Sequence, residues 1–238
     1  MKKKIMILTA AFTLALGLGA CGAGNAESTA QTEAETAAPD ADQDTETAGE
    51  NTDSQGTDGS RILIAYFTAA ENSGVDAVAS ASYSDVNGEA KGRMQALAEM
   101  IQDVTGGDLF SIRTEETYPA DGGDLIDYAS QEQSEDARPA LTTHIENPDD
   151  YDIIFVGYPN WWADLPMPLY SFFDEYDFSG KTIIPFNSHN GSRFSNTIST
   201  IASLEPNATV IEDGFTVNER DVPDAAGDIA SWVDSLGI

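Results

Sequence analysis

The stretch YDIIFVGYPNWWADLPMP, residues 151–168, decides how the rest of the chain is read. From Asp152 to Gly157 it is apolar at nearly every position. A strand with one face in water alternates apolar and polar residues, whereas one covered by helices on both faces is apolar on both. Gly157 and Pro159 break this strand, two adjacent tryptophans follow, and Pro166 and Pro168 are placed to open a helix, where a missing N–H does little harm. Taken alone, Trp161 and Trp162 fit a core plug folded under the next helix. On a loop leaving a buried strand they also fit the wall of a cleft for a flat ligand, because loops face water and large aromatic rings do not favour it.

The same kind of segment recurs on either side. Arg61 to Thr68 reads as a first strand, Leu109 to Ile112 as a second, Asp152 to Tyr158 as the third, Lys181 to Asn187 as the fourth and Ala208 to Ile211 as the fifth. Helical patterns separate them. Lys91 to Val104 repeats Met94, Leu97, Ala98 and Ile101 at three- and four-residue spacing and stops at Gly106-Gly107. A weaker pattern runs from Leu125 to Asp136, and a short aromatic one from Leu169 to Tyr176. Arg193 to Leu204 and Ala225 to Leu236 close the series, the latter with Ile229, Trp232, Val233 and Leu236 turned inward. This alternation predicts an α/β three-layer sandwich, a five-stranded parallel sheet with helices on both faces, and right-handed crossovers point to the strand order 2-1-3-4-5. Ligands of such sheets bind beyond the carboxyl ends of the strands, beside strands one and three. The loops after Thr68, Tyr158 and Asn187 converge there.

Three of these segments resemble a known family. ILIAYFT at 62–68, GYPNWW at 157–162 with its proline-rich turn, and TIIPFNSHNGS at 182–192 are similar to flavodoxin-like domain proteins, in particular bacterial flavodoxin-family lipoproteins. The resemblance covers nearly all of residues 61–238. It implies a flavodoxin-like fold and FMN as cofactor, with the first loop on the phosphate through Thr68, Asn72 and Ser73. It places Pro159, Asn160, Trp161 and Trp162 along one side of the flavin ring, and Ser188, His189, Asn190 and Gly191 along the other. An indole stacked on a flat ring adds about 0.5–1.5 kcal/mol beyond its buried area.

The first loop departs from the family pattern. That pattern is a run of Ser or Thr with Gly-Asn-Thr leading straight into the first helix, whose N-terminus favours the phosphate charge. Here the run is Thr68-Ala69-Ala70-Glu71-Asn72-Ser73, and Val75 to Ala90 intervenes before the helix. A carboxylate about 4 Å from a phosphate repels it by about 4 kcal/mol per unit charge at an effective dielectric near ~20. Glu71 therefore points away, or no phosphate sits there. Asn87-Gly88 with Lys91 or Arg93 forms a candidate substitute cradle.

Composition divides the chain into three parts. Lys2-Lys3-Lys4, the apolar run Ile5 to Leu18 and Leu18-Gly19-Ala20-Cys21 read as a signal peptide over residues 1–20, followed by a lipidated Cys21. The ending resembles a bacterial lipobox, and Cys21 is the only cysteine, so no intramolecular disulfide forms. Residues 21–60, rich in Ala, Thr, Ser and acid, have too little apolar surface to offset ordering entropy and read as an acidic tether. Residues 61–238 are long enough for one domain with a full core. They carry 8 Lys and Arg against 31 Asp and Glu, a balance of −23. That surplus argues against nucleic acid and against anionic lipid, leaving the N-terminal lipid as the membrane contact.

No cluster has metal-ligand spacing and no GxSxG elbow occurs. The expected function is that of an extracytoplasmic, membrane-anchored flavoprotein, an electron carrier or an oxidoreductase for a small acceptor such as a quinone, with its redox partner and any catalytic residue unassigned. The alternatives are a non-catalytic lipoprotein holding another flat ligand in the same cleft, and a partner-docking surface domain with the tryptophans buried.

Overall fold

The computed structural model describes residues 61–73 and 82–238, so the signal segment, Cys21, the tether and the first half of the 75–90 insertion lie outside the described residues. In chain order the elements are β1 (Ile62–Tyr66), the single turn α1 (Ala69–Asn72), the pair β2 (Tyr83–Val86) and β3 (Glu89–Gly92), α2 (Arg93–Thr105), β4 (Asp108–Ser111) and α3 (Gly122–Ser134). There follow β5 (Ile153–Pro159), α4 (Met167–Glu175), β6 (Thr182–His189), α5 (Thr197–Leu204), β7 (Thr209–Val210), β8 (Phe215–Asn218) and α6 (Ala226–Leu236). The main sheet is parallel, in the order β4-β1-β5-β6-β7, with β8 also on β6. This is the expected 2-1-3-4-5 order and the expected flavodoxin-like α/β fold.

Successive residues of each central strand enter opposite cores. Leu63, Ala65 and Phe67, with Ile154, Val156 and Tyr158, pack under α3, α4 and α5 against Leu125, Leu169, Phe172 and Ile201. Ile64, Tyr66, Phe155, Ile184 and Phe186 pack under α2 and α6 against Met94, Leu97, Ile101, Ile229 and Val233. Continuous apolar strands and amphipathic helices are thus two views of one constraint: each strand supplies alternate side chains to two layers. Trp232 lies in the second core, edge-on to Phe155 with centroids 5.7 Å apart, and its indole N–H donates to the Asp213 carbonyl at 3.0 Å.

Three elements differ from the sequence expectation. Asn87-Gly88 is not a cradle but a hairpin turn, with φ of 56° and 83°, joining β2 to β3. Asn-Gly suits such a turn because both central residues need positive φ. Lys91 consequently lies in β3, and α2 begins two residues later than expected, at Arg93. The fifth strand is split. β7 pairs with Thr182 and Ile183 and β8 with Phe186 to His189, and the break falls opposite Pro185, which has no ladder N–H to offer. Finally, Arg193 to Asn196 form an irregular turn rather than the start of α5, with Arg193 and Ser195 at φ of 54° and 51°.

Gly157 sits opposite Tyr66 on one side and Phe186 on the other. A Cβ there would lie 2.2 Å from the Phe186 ring. Gly157→Ala is expected to destabilise the fold by about 1–3 kcal/mol in urea unfolding, through forced repacking, and Phe186→Leu in the same chain to recover part of the loss.

Candidate functional site

The ladder brings the ends of β1, β5 and β6 to one edge. The Phe67 N–H bonds the Gly157 carbonyl at 2.9 Å, and the Asn160 N–H bonds the Ser188 carbonyl at 2.9 Å. Beyond that edge opens a cleft of about 360 Å³, within the range of small-ligand sites. Eight of the residues expected at the site line it: Thr68, Pro159, Asn160, Trp161, Trp162, Ser188, His189 and Asn190. Asn72, Ser73 and Gly191 do not.

The first loop explains two of those absences. Asn72 is buried, donates to the carbonyls of Thr68 (2.8 Å) and Ile112 (3.3 Å), and accepts from the Thr114 N–H at 2.8 Å. It ties α1 to the segment after β4. The Ser73 hydroxyl donates to the Ala70 carbonyl at 3.1 Å. Glu71 is turned away from the cleft, accepting from the hydroxyls of Tyr66 and Ser111 and facing Arg113 at 3.4 Å, so its charge does not oppose an anion in the cleft. Thr68 remains. It is 1 % exposed, lines the cleft, and its hydroxyl hydrogen-bonds to no described residue. Its side chain packs so closely on Gly92, the residue that precedes α2, that a Cβ at Gly92 would lie 3.0 Å from both Thr68 Oγ1 and Cγ2. A 20-residue excursion after α1 thus returns the chain to the end of β1.

Of the two cations expected nearby, Lys91 is held by Glu99 at 2.7 Å and Glu89 at 3.4 Å and does not line the cleft. Arg93 does line it. Its Nε donates to Ser84 Oγ at 3.1 Å, and its Nη1 faces Glu219 at 3.4 Å across the cleft. Burial pushes the Arg93 guanidinium below its ordinary value, with Glu219 opposing that shift.

The tryptophan loop divides the two roles its sequence allowed. Trp161 and Asp164 exchange backbone hydrogen bonds of 3.1 and 2.9 Å, closing a two-residue turn whose central residues, Trp162 and Ala163, have φ of 48° and 66°. Neither is glycine, so the turn carries strain of order 1–2 kcal/mol per residue. Trp161 packs downward, edge-on to Phe67 at 5.7 Å and tilted against Tyr118 at 6.1 Å, while still lining the cleft. Trp162 is 47 % exposed at the rim.

On the opposite loop, the Gly191 N–H donates to His189 Nδ1 at 2.8 Å, which Gly191 achieves at a φ of 97°. The neutral ring therefore carries its proton on Nε2. Burial, with the Arg193 charge, pushes the His189 pKa down, so the neutral ring dominates at pH 7. The Arg193 carbonyl accepts from the side-chain amides of both Asn160 and Asn187, joining the second and third loops. His144 lies at the surface, its Nδ1 2.6 Å from Glu175.

Sequence reasoning missed one wall. Leu125, Ile126 and Ala129 of α3 also line the cleft, and Ile126 is 57 % exposed. The signal was an isoleucine between Leu125 and Asp127, off the stripe of Leu125, Ala129 and Glu132 that the helix buries. Beneath this wall the Tyr118 hydroxyl donates to Glu132 at 2.7 Å.

The geometry is that of a doubly wound α/β protein with an apolar, aromatic-walled cleft at its switch point. The sequence matches the flavodoxin family over residues 61–236, and the chain belongs to that family. Among solved structures it is similar to a candidate flavoprotein of Bacteroides eggerthii, with 26% identity and a TM-score of 0.57 over 75% of this chain and 99% of the other. A second, from Bacteroides uniformis, shares 25% identity with a TM-score of 0.58, covering 74% and 99%. A Lactobacillus acidophilus flavoprotein in complex with FMN shares 18% with a TM-score of 0.49, covering 71% and 99%. No curated protein matches the chain.

Glu132 is 8 % exposed, and burial raises its pKa above the ordinary 4.5, with the Tyr118 hydrogen bond opposing and Glu116 adding to the rise. A raised folded-state pKa contributes stability that is full below the unfolded value and lost as pH rises through the folded one. The stability of the native chain relative to Glu132→Gln, which keeps an acceptor for Tyr118, is therefore expected to fall as pH rises above about 4.5 and then level off. Urea unfolding of both proteins across pH 4 to about 9 checks this; parallel curves contradict it.

Proposed function

We propose that this chain binds FMN in the cleft and serves as an extracytoplasmic electron carrier or reductase for a small neutral acceptor such as a quinone. The observation that carries the reading is the pairing of an apolar slot, bounded by Trp161, Trp162 and the Leu125–Ala129 face of α3, with a buried Thr68 that lines it and whose hydroxyl has no hydrogen bond among the described residues. A flat aromatic ring system with one polar, anionic tail fits that pairing. Once bound, the flavin would supply the redox chemistry. The protein's part is to stack the ring on Trp162, to exclude water with Leu125 and Trp161, and to offer the His189 Nε2–H as a donor. The acid surplus of the domain disfavours anionic acceptors and favours neutral ones. Family membership supports a flavin, and the lipobox-like LGAC at 18–21 supports anchorage outside the cytoplasm through a lipid on Cys21.

A second reading, a binding protein for a flat ligand without redox work, is favoured by the inward bonding of Asn72 and Ser73, which removes two of the three residues the family would place on a phosphate.

The full chain is expected to purify yellow, or to quench added FMN fluorescence with saturation. Trp162→Ala should weaken FMN by about 0.5–1.5 kcal/mol, roughly twofold to tenfold, without altering urea unfolding, whereas Trp161→Ala should lower both. A colourless protein that never quenches FMN removes the reading. Independently, the native chain expressed in a bacterium should partition into the detergent phase of a cloud-point separation, and Cys21→Ala should shift it to the aqueous phase. Two acyl chains at roughly 0.8 kcal/mol per methylene make that difference nearly complete.

A further inference from the structure

We propose that Arg93 is the anion-binding residue of the cleft, specific for a phosphomonoester, and that Glu219 occupies it as a latch that the phosphate displaces. The inference rests on the FMN reading above and deepens it by naming the group that selects the phosphorylated ligand.

Four observations meet at one place. The Thr68 hydroxyl is buried, faces the cleft and lacks a partner among the described residues. Gly92 precedes α2, a 13-residue helix, and brings no capping side chain; the Arg93 N–H is taken by the Ser82 carbonyl at 2.9 Å, so the donors of this terminus that lack a cap are the N–H groups of Met94 and Gln95. Gly92 and Thr68 are in contact, which puts the helix terminus and the hydroxyl side by side. Arg93, next in sequence, is the one Lys or Arg among the described cleft-lining residues. A phosphate that reached this corner would meet a hydroxyl, a helix terminus and a planar guanidinium, the combination that suits a tetrahedral dianion.

Glu219 helps to hold this half-buried cation in place. It lines the same cleft, its Oε2 lies 3.4 Å from Arg93 Nη1, and its backbone N–H is fixed to the His189 carbonyl at 2.8 Å. The contact is long for a charge-assisted hydrogen bond, and Arg93 is also braced from the far side by Ser84 Oγ at 3.1 Å. Such a pair neutralises the guanidinium, and the Nη1 contact it makes is one that a stronger acceptor would take over from Glu219. A carboxylate and a phosphate cannot both hold that edge without repelling each other.

The test compares FMN with riboflavin, which differ by the phosphate alone, in fluorescence titrations of the full chain. The native protein should prefer FMN. Arg93→Gln should lose about tenfold to a hundredfold in FMN affinity and leave riboflavin within about twofold, so that riboflavin also reports an intact fold. Arg93→Lys should fall between, since it keeps charge but not the planar fork. Glu219→Gln should change FMN affinity in the opposite direction, tightening it severalfold with riboflavin unmoved. Equal native affinity for the two flavins, or equal losses for both in Arg93→Gln and Arg93→Lys, overturns the inference while leaving flavin binding standing. If neither flavin binds the native chain, the FMN reading fails on its own. Inorganic phosphate followed at the Arg93 Nε–H by nitrogen-edited NMR then decides: a saturable shift supports the anion site, and its absence overturns it.

Discussion

The molecule depends on the backbone ladder on both sides of β5. Ile153 to Gly157 pair with β1 and Ile153 to Pro159 with β6, residue for residue and in parallel. Parallel pairing cannot slip by one residue here, because a slip would exchange the side chains that fill the two cores. Once the register is set, β1 ends opposite Gly157 and Phe186, β5 runs two residues further and β6 three, and the loops that follow Tyr66, Pro159 and His189 leave from one stepped line. The close approach at that line is made by Gly157, over whose missing side chain the Phe186 ring lies. A cleft at this edge is therefore a consequence of topology, and what the cleft can hold is decided by the loops.

The strands and their order were legible because burial on both faces leaves a continuous apolar signature, and α4 was legible because Pro166 and Pro168 announce its start. The hairpin before α2 was not read, although Asn87-Gly88 is the dipeptide such turns require; the short β2 and β3 lack the alternation that would have framed it. β8 was hidden by Pro185, whose missing N–H interrupts the fifth strand four residues before Phe215. The aromatic half of the site was legible in composition. The corner where Thr68 meets Gly92 was not, because the two are neighbours only after the chain returns through the hairpin, and Asn72 and Ser73 look polar in sequence yet bond to backbone carbonyls.

The distribution of charge follows a similar logic. In a domain with few cations, Arg61, Lys91, Arg113 and Arg138 are ion-paired at the surface, and Lys181 donates to the Tyr151 carbonyl. Such exposed pairs contribute little to stability. Arg93 differs in being largely enclosed, beside a cleft rather than on the outer surface. Desolvating a guanidinium is unfavourable, and Ser84 and Glu219 offset part of that cost. The overall acid surplus makes a locally held cation matter more, since a negative domain repels anions everywhere except where such a cation sits.

Backbone strain is concentrated in the same way, with Asn87 in its hairpin turn and Asp136 after α3 the exceptions among the described residues. Trp162, Ala163, Arg193 and Ser195 all take positive φ without being glycine, and all four lie in the two loops that face each other across the cleft. Glycine at Ala163 would relax its turn, and that residue is exposed, so no packing demand holds the alanine there. Strain of this kind survives only where the surroundings over-determine it. Here they do: Trp161 is wedged on Phe67 and Tyr118, and the Arg193 carbonyl is fixed by two asparagine amides. The turn at 162–163 is thus held open by the core beneath it, and its effect is to lift one indole to the rim while the other seals the floor. Two adjacent tryptophans in sequence do two different jobs because a strained turn separates them.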